Sequence, residues 1–133
     1  MIRNSAVGIL INSNNEFLLQ KKTADYHLCP GQWCLFGGEI KSNESPLDAI
    51  KRELEEELGL ELSNMSYFFK NSWKMGKREY REDVFVVFFD KNIMDIKLSE
   101  GAGFALFNKN ELSSLNLFNK SKIALEKYIL ESD

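Results

Sequence analysis

The sequence is short of the residues that staple small folds or bind soft metals, with two cysteines, one histidine and no long apolar run. Cys29 and Cys34 are too far apart for a C-x-x-C redox pair. With His27 they also fall one ligand short of a closed zinc site, so both are read as reduced, structural thiols without a metal. No stretch approaches a membrane span, and residues 1–4 lack the apolar core of a secretory signal, so a cytoplasmic protein without a membrane partner is expected. Charge of one sign is scarce as well. Seventeen Lys and Arg against twenty Asp and Glu leave a net charge of -3, which excludes a broad basic face for duplex nucleic acid while admitting individual phosphates. Repeats, low-complexity tracts and linkers are missing, and 133 residues with 44% hydrophobic side chains suit one domain spanning residues 1–133.

What is present is an alternation of strand and helix signals. Residues 5–11 and 17–22 are apolar-rich and flank Asn12, Ser13, Asn14 and Asn15, a set of turn formers, which predicts a hairpin. Residues 23–32 read as a loop. Residues 33–36 form a short apolar strand ending at Gly37 and Gly38, and residues 39–44 lead into a helix whose N-terminus is a natural place to meet phosphates. That helix spans 45–58, with Ser45 as N-cap, Pro46 at the first position, Asp48 in the first turn and Gly59 just beyond. Leu47, Ile50, Leu54 and Leu58 form its apolar stripe. Residues 66–72 and 84–89 read as strands, the second buried on both faces, and 103–107 as a further one. A helical turn over 108–112 and a terminal helix over 121–131, packing through Ile123, Leu125, Tyr128 and Ile129, complete the chain. This order fits an α/β fold with a mixed sheet between helices.

The chemistry is concentrated on the first helix. At 100° per residue, Glu53, Glu56 and Glu57 share one flank, with a mean direction roughly 110° from the apolar stripe. Like charges at these spacings repel, and a divalent cation removes the repulsion. Oxygen ligands without histidine or cysteine select Mg²⁺, with Mn²⁺ as substitute, and leave coordination positions for water and phosphate oxygens.

Gly38, five residues, Glu44, seven residues, and then Arg52-Glu53-Leu54-Glu55-Glu56-Glu57-Leu58-Gly59-Leu60 reproduce G-x5-E-x7-R-E-U-x-E-E-x-G-U, with U aliphatic, without substitution. By average composition such a match arises on the order of once in a billion placements. The chain therefore resembles the Nudix hydrolases, over the box and over its element order. The resemblance implies an α/β/α sandwich and Mg²⁺-dependent hydrolysis of a nucleoside diphosphate linked to a group X, by attack of water on a pyrophosphate phosphorus. It implies that Glu53, Glu56 and Glu57 ligate the metal and that Arg52 positions them. Glu44 would support the loop and metal shell, while Gly38 would let the loop backbone pass close to the helix. A further downstream carboxylate is expected as metal ligand or general base; Glu100 occupies the comparable place, with Glu82 and Asp83 as competitors and Glu53 as the alternative base that the resemblance also implies.

Lys21 and Lys22 are candidates for holding phosphates, as are Lys74, Lys77, Arg78 and Arg81. Asn119 matches the place of a base-contacting Asn in MutT-type members, and it is equally suited to cap the last helix. Trp33, Phe36, Trp73 and Tyr80 are candidate stacking or core aromatics. The chain carries Leu35-Phe36-Gly37-Gly38 in place of the frequent L-P-G-G, and it lacks the downstream Pro or Tyr and the shortened box of other subgroups. By elimination the expected substrate is a (deoxy)nucleoside triphosphate, cut to monophosphate and pyrophosphate. A nucleotide-sugar or ADP-ribose pyrophosphatase and a non-catalytic nucleotide sensor are the alternatives, and a homodimer is admitted because many members of the family form one.

Overall fold

A computed structural model describes residues 1–96 and 102–132. Its centre is strand β1 (Ile2–Ile11), whose alternation sends Ala6 and Leu10 to one face and Val7, Ile9 and Ile11 to the other. One edge of β1 pairs in parallel with β6 (Arg78–Phe88), from Ile2 opposite Glu79 to Ile11 opposite Phe88. The other edge is shared: Leu10 and Ile11 pair with β2 (Phe17–Lys21), while residues 5 to 8 pair antiparallel with β4 (Phe36–Glu39). Outward from these lie β3 (Trp33–Cys34) and β7 (Gly103–Phe107) on β2, and β5 (Met65–Met75) on β6. Helix α1 (Pro46–Leu58) covers one face through Ile50, Leu54 and Leu58, together with Phe85 and Val87. Helix α2 (Asn119–Ser132) covers the other through Ala124 and Leu125, together with Val84 and Val86. The result is the α/β/α sandwich expected from the sequence. Each large aliphatic side chain on these faces contributes roughly 1.5–3 kcal/mol by leaving water.

Helix α1 begins and ends where its capping residues require. Ser45 Oγ accepts from the Asp48 backbone N–H at 3.1 Å, and Gly59 takes φ 69° while its N–H bonds to Glu55 O. Several other boundaries differ from expectation. Strand β5 continues past 72 to Met75 and β6 starts at Arg78 rather than 84, ending at Phe88, because polar cross-strand pairs such as Lys74 with Glu79 carry the ladder out to Gly76, which turns at φ 63°. Burial on both faces holds for Val84 to Val87, but Phe88 is exposed. The expected helical turn at 108–112 falls later, at Leu112–Ser114, since the Asn108 side chain accepts from the Asn110 and Glu111 N–H groups and makes a turn of its own. On α2, Ile123 faces outward, and Ala124 takes the core place beside Leu125.

Two departures shape the site. Gly37 and Gly38 do not end a strand; they lie inside β4, opposite Val7 and Ala6 of β1. Gly37 sits at φ 150°, and a Cβ there would run into the Ala6 carbonyl oxygen and reach Val7 Cα at 2.6 Å, so only glycine permits this pairing. On α1, Leu47 is exposed while Ala49 and Glu57 are buried. The buried arc thus turns toward Ala49, and at 100° per residue Glu57 falls near its middle rather than on a separate flank.

Candidate active site

Arg52, one turn before the acidic cluster ends, gathers the carboxylates around it. Its Nε donates to Glu44 Oε2 at 2.6 Å and its Nη2 to Glu44 Oε1 at 3.0 Å, a two-pronged pair that ties the 39–44 loop to the helix. Nη2 also donates to the Glu39 carbonyl at 3.1 Å. Nη1 donates to Glu53 Oε1 at 2.9 Å and to Glu56 Oε2 at 3.2 Å. Glu44 Oε1 further accepts from the Lys41 backbone N–H at 2.8 Å. The Arg52 hydrogen bonds, and then that of Lys41, hold the Glu44 carboxyl down to about 2, so it is charged at any physiological pH. Glu44 in turn raises the pKa of the Arg52 guanidinium.

Glycine makes room for the second carboxylate. A Cβ on Gly38 would stand 2.5 Å from Glu53 Oε1 and 2.6 Å from its Cδ, so the Glu53 head group lies directly against the β4 backbone. Gly38 also lines a cleft, together with Gly37, Arg3, Gln20, Lys22, Cys34 and Glu82, so β4 is a wall between acidic helix and cleft. Trp73 and Tyr80, stacked at 5.3 Å and 7° between planes, lie on the cleft as well. Among the described residues Gln20 Oε1 and Trp73 Nε1 are buried and make no hydrogen bond, leaving an acceptor and a donor there for a ligand. Glu82, on β6, is buried on the same cleft. Burial pushes its carboxyl up to about 7, against the opposing charges of Arg3 and Lys120.

The residues singled out in the sequence divide accordingly. Arg52, Glu44, Glu53 and Glu56 are brought together, Glu57 is buried on the same helix, and Gly38 abuts Glu53. Lys22 is buried on the cleft, with its Nζ 4.4 Å from the centre of the Tyr26 ring, whereas Lys21 is exposed and does not line it. Arg78 closes the β5–β6 hairpin opposite Met75, away from the cleft lining, and Arg81 pairs with Glu79 at 3.1 Å. Asn119 is the exposed first residue of α2; its neighbours Phe118 and Ser121 line the cleft instead. Phe36 is wholly buried, and Trp33 packs edge-on against Phe107. Asp83 faces the opposite side of β6 from Glu82 and accepts from the Tyr67 hydroxyl at 2.8 Å. Burial, followed by this bond, raises the Tyr67 phenol to about 12. Glu100 lies outside the described residues. Arg3, Gln20 and Ser121 were not anticipated. They come from three distant segments, and only the periodicity of β1 and β2 offered a hint of the face they share.

Among the described residues no three acidic, histidine or cysteine side chains are gathered into a ligating set as they stand, since Glu53 and Glu56 are turned onto Arg52. The donor set still suits a hard dication. It is oxygen only, and the Gly38 backbone leaves the Glu53 carboxylate a space that any larger residue would fill.

A family model described as NUDIX domain matches residues 1–129. An 8-oxo-dGTP diphosphatase of Escherichia coli K12 is 37% identical over 73 residues, 55% of this chain and 56% of that protein. The match thus spans about half the length of this curated relative. A MutT protein from Methanosarcina mazei shares the fold at a TM-score of 0.86 and 20% identity, over 99% of this chain and 96% of that one. The NUDIX domain of Shewanella oneidensis NrtR, solved with ADP ribose, shares it at 0.83 and 12% identity, over 100% and 90%.

Proposed function

The chain belongs to the Nudix family, and from that premise we propose that it is a Mg²⁺-dependent pyrophosphohydrolase, cleaving a (deoxy)nucleoside triphosphate to monophosphate and pyrophosphate. The observation that carries this reading is the Arg52-centred carboxylate cluster standing directly behind Gly38, on the wall of a cleft with stacked aromatics and orphan polar atoms. Glu53, Glu56 and Glu57 would hold the metal, with Mn²⁺ as substitute and Glu100 as a further ligand. When bound, the dication supplies charge neutralisation for the phosphate oxygens and a more acidic water.

The chain's own side chains do the rest. Arg52 keeps Glu53 and Glu56 in place and, through Glu44, fixes the loop that leads into the helix. Lys22 sits on the cleft, over the Tyr26 ring, as a cation for a phosphate, and Lys21 and Arg78 are outer candidates. Glu53, beside the cleft wall, accepts the proton of the attacking water as its oxygen bonds to phosphorus and the anhydride P–O bond breaks, releasing pyrophosphate. Glu100 is the alternative acceptor. The Trp73–Tyr80 stack, Gln20 and Glu82 offer a planar face and polar groups to the base, and Asn119, at the start of α2, is a further candidate for contacting it. The E. coli relative's name, 8-oxo-dGTP diphosphatase, supports a triphosphate substrate. We place the enzyme in the cytoplasm, where such substrates occur; no described helix is long and apolar enough to cross a membrane.

A panel of nucleoside triphosphates, nucleotide sugars and ADP-ribose, assayed with Mg²⁺ by phosphate release after added pyrophosphatase or phosphatase, tests the proposal. Triphosphates should have the highest kcat/KM. Preferred cleavage of ADP-ribose or a nucleotide sugar would replace this substrate by the alternative one. Tight nucleotide binding without turnover of any compound would make the protein a sensor.

A further inference from the structure

Cys29 and Cys34 carry no part of the proposed hydrolysis, yet both line the cleft and both are buried, at 3% and 5% exposure. The intervening sequence explains how they meet. Pro30 and Gly31, the latter at φ 66°, form a turn closed by the Gln32 N–H on the Cys29 carbonyl at 3.2 Å. The chain then enters β3, where Cys34 pairs with Gln20 of β2. Gly31 N–H bonds to Thr23 O at 3.0 Å and Lys22 N–H to Gln32 O at 2.9 Å, so the turn is tied to the segment that follows β2 and carries Lys22. In this fold-back both thiols line the same cleft, each shifts the ionisation of the other, and neither is in a disulfide.

We propose that Cys29 and Cys34 are a reversible dithiol–disulfide site in the wall of the substrate cleft, oxidised by a peroxide and re-reduced by a dithiol. Cys29 is the attacking thiol. The Cys34 side chain and the nearby Lys22 ammonium lower the pKa of Cys29 and favour its thiolate, while the Cys29 side chain and burial push that of Cys34 up and keep it protonated. The Cys29 thiolate attacks one peroxide oxygen; the S–O bond forms, the O–O bond breaks, and hydroxide or alkoxide leaves and takes up a proton. Cys34 then gives up its proton and its sulfur attacks the sulfenic sulfur, so that S–S forms, S–O breaks and water departs. Two thiols lose two electrons in all, and the peroxide gains them. Closing the bond brings the sulfurs to about 2.05 Å. That pulls the turn inward against Lys22 and narrows the cleft, an effect on turnover that rests on the cleft being the substrate site.

The chemical step is tested without activity. Treating the full chain with hydrogen peroxide and mapping it under non-reducing conditions should give a mass loss of about two hydrogens per chain and a 29–34 cross-link within one chain. Dithiothreitol should restore two alkylatable thiols, and C34S should stop at a dimedone-reactive sulfenic acid on Cys29. Two thiols still free after peroxide, cross-links only between chains, or oxidation to sulfinic acid without a disulfide would overturn the proposal; the wild-type readout holds even if a variant fails to fold. In a second arm, peroxide should lower kcat/KM for a triphosphate at least ~5-fold, mainly through KM, with recovery in dithiothreitol and no response in C29S. A disulfide that forms without changing turnover would remove the consequence for the cleft. Absence of turnover in the reduced enzyme would instead refute the hydrolytic reading and leave the thiol chemistry standing.

Discussion

Glu44 and Glu82 are carboxyl groups near cationic side chains on either side of β4, and the protein treats them in opposite ways. Glu44 lies at the rim of α1, held by two Arg52 hydrogen bonds and a backbone N–H, and stays ionised down to about 2. Glu82 is inside the cleft wall, where burial outweighs Arg3 and Lys120 and holds its carboxyl near 7. Direct hydrogen bonds fix a charge, whereas cations acting at a distance do not offset lost hydration. On the helix side Glu44 therefore stays charged at neutral pH and keeps Arg52 in place beside the other carboxylates. The cleft side presents a carboxyl that can donate or accept at neutral pH, suited to a base.

The contrast breaks most visibly at the helix. Glu56→Gln or Glu57→Gln should lower kcat at least ~10²-fold while the circular dichroism spectrum stays that of the wild type. Near-normal turnover in both would show that these carboxylates do not hold the metal.

The two adjacent glycines sharpen the division next, because they face different constraints. Gly37→Ala forces a Cβ onto the β1 backbone and should cost about 2–4 kcal/mol of stability in urea titrations. Gly38→Ala meets only the end of the Glu53 side chain, which can swing aside. It should cost under about 1 kcal/mol yet reduce kcat by roughly tenfold or more, by displacing that carboxylate. Equal stability losses in the two variants would deny that Gly38 is kept for Glu53.

The smallest expected effect is in the pH profile of stability. Between the ordinary 4.5 and about 7, folded Glu82 holds a proton that the unfolded chain has lost, so stability falls as pH rises through this window. The fall is at most about 3 kcal/mol. Glu44 acts with the opposite sign: its contribution is complete above 4.5 and is lost as pH drops toward 2. Glu82→Gln should flatten the neutral limb and leave the acid limb unchanged. Parallel melting curves for variant and wild type from pH 5 to 8 would abolish the distinction.

Legibility in the sequence follows the range of the forces involved. Helix α1 was readable to within a residue, since Ser45, Pro46 and Gly59 act on their immediate neighbours. The Arg52–Glu56 pair was visible because four residues bring side chains together on any helix. The extent of β4 was not readable: Gly37 and Gly38 look like a strand's end until β1 is placed beside them. Nor was the burial of Glu57, which depends on how far Ala49 lets the helix roll onto the sheet.

Local sequence alone thus determined the capped helix, the spacing of its carboxylates and the resemblance to the Nudix family, because all three are written in the continuous stretch of residues 38–60. Tertiary structure decided which residues form the cleft. Arg3, Gln20, Glu82 and Ser121 meet only after β1 has paired in parallel with β6 and α2 has docked on the far face. Such long-range pairings are selected by burial of the whole sheet, a sum over many side chains that no single segment encodes.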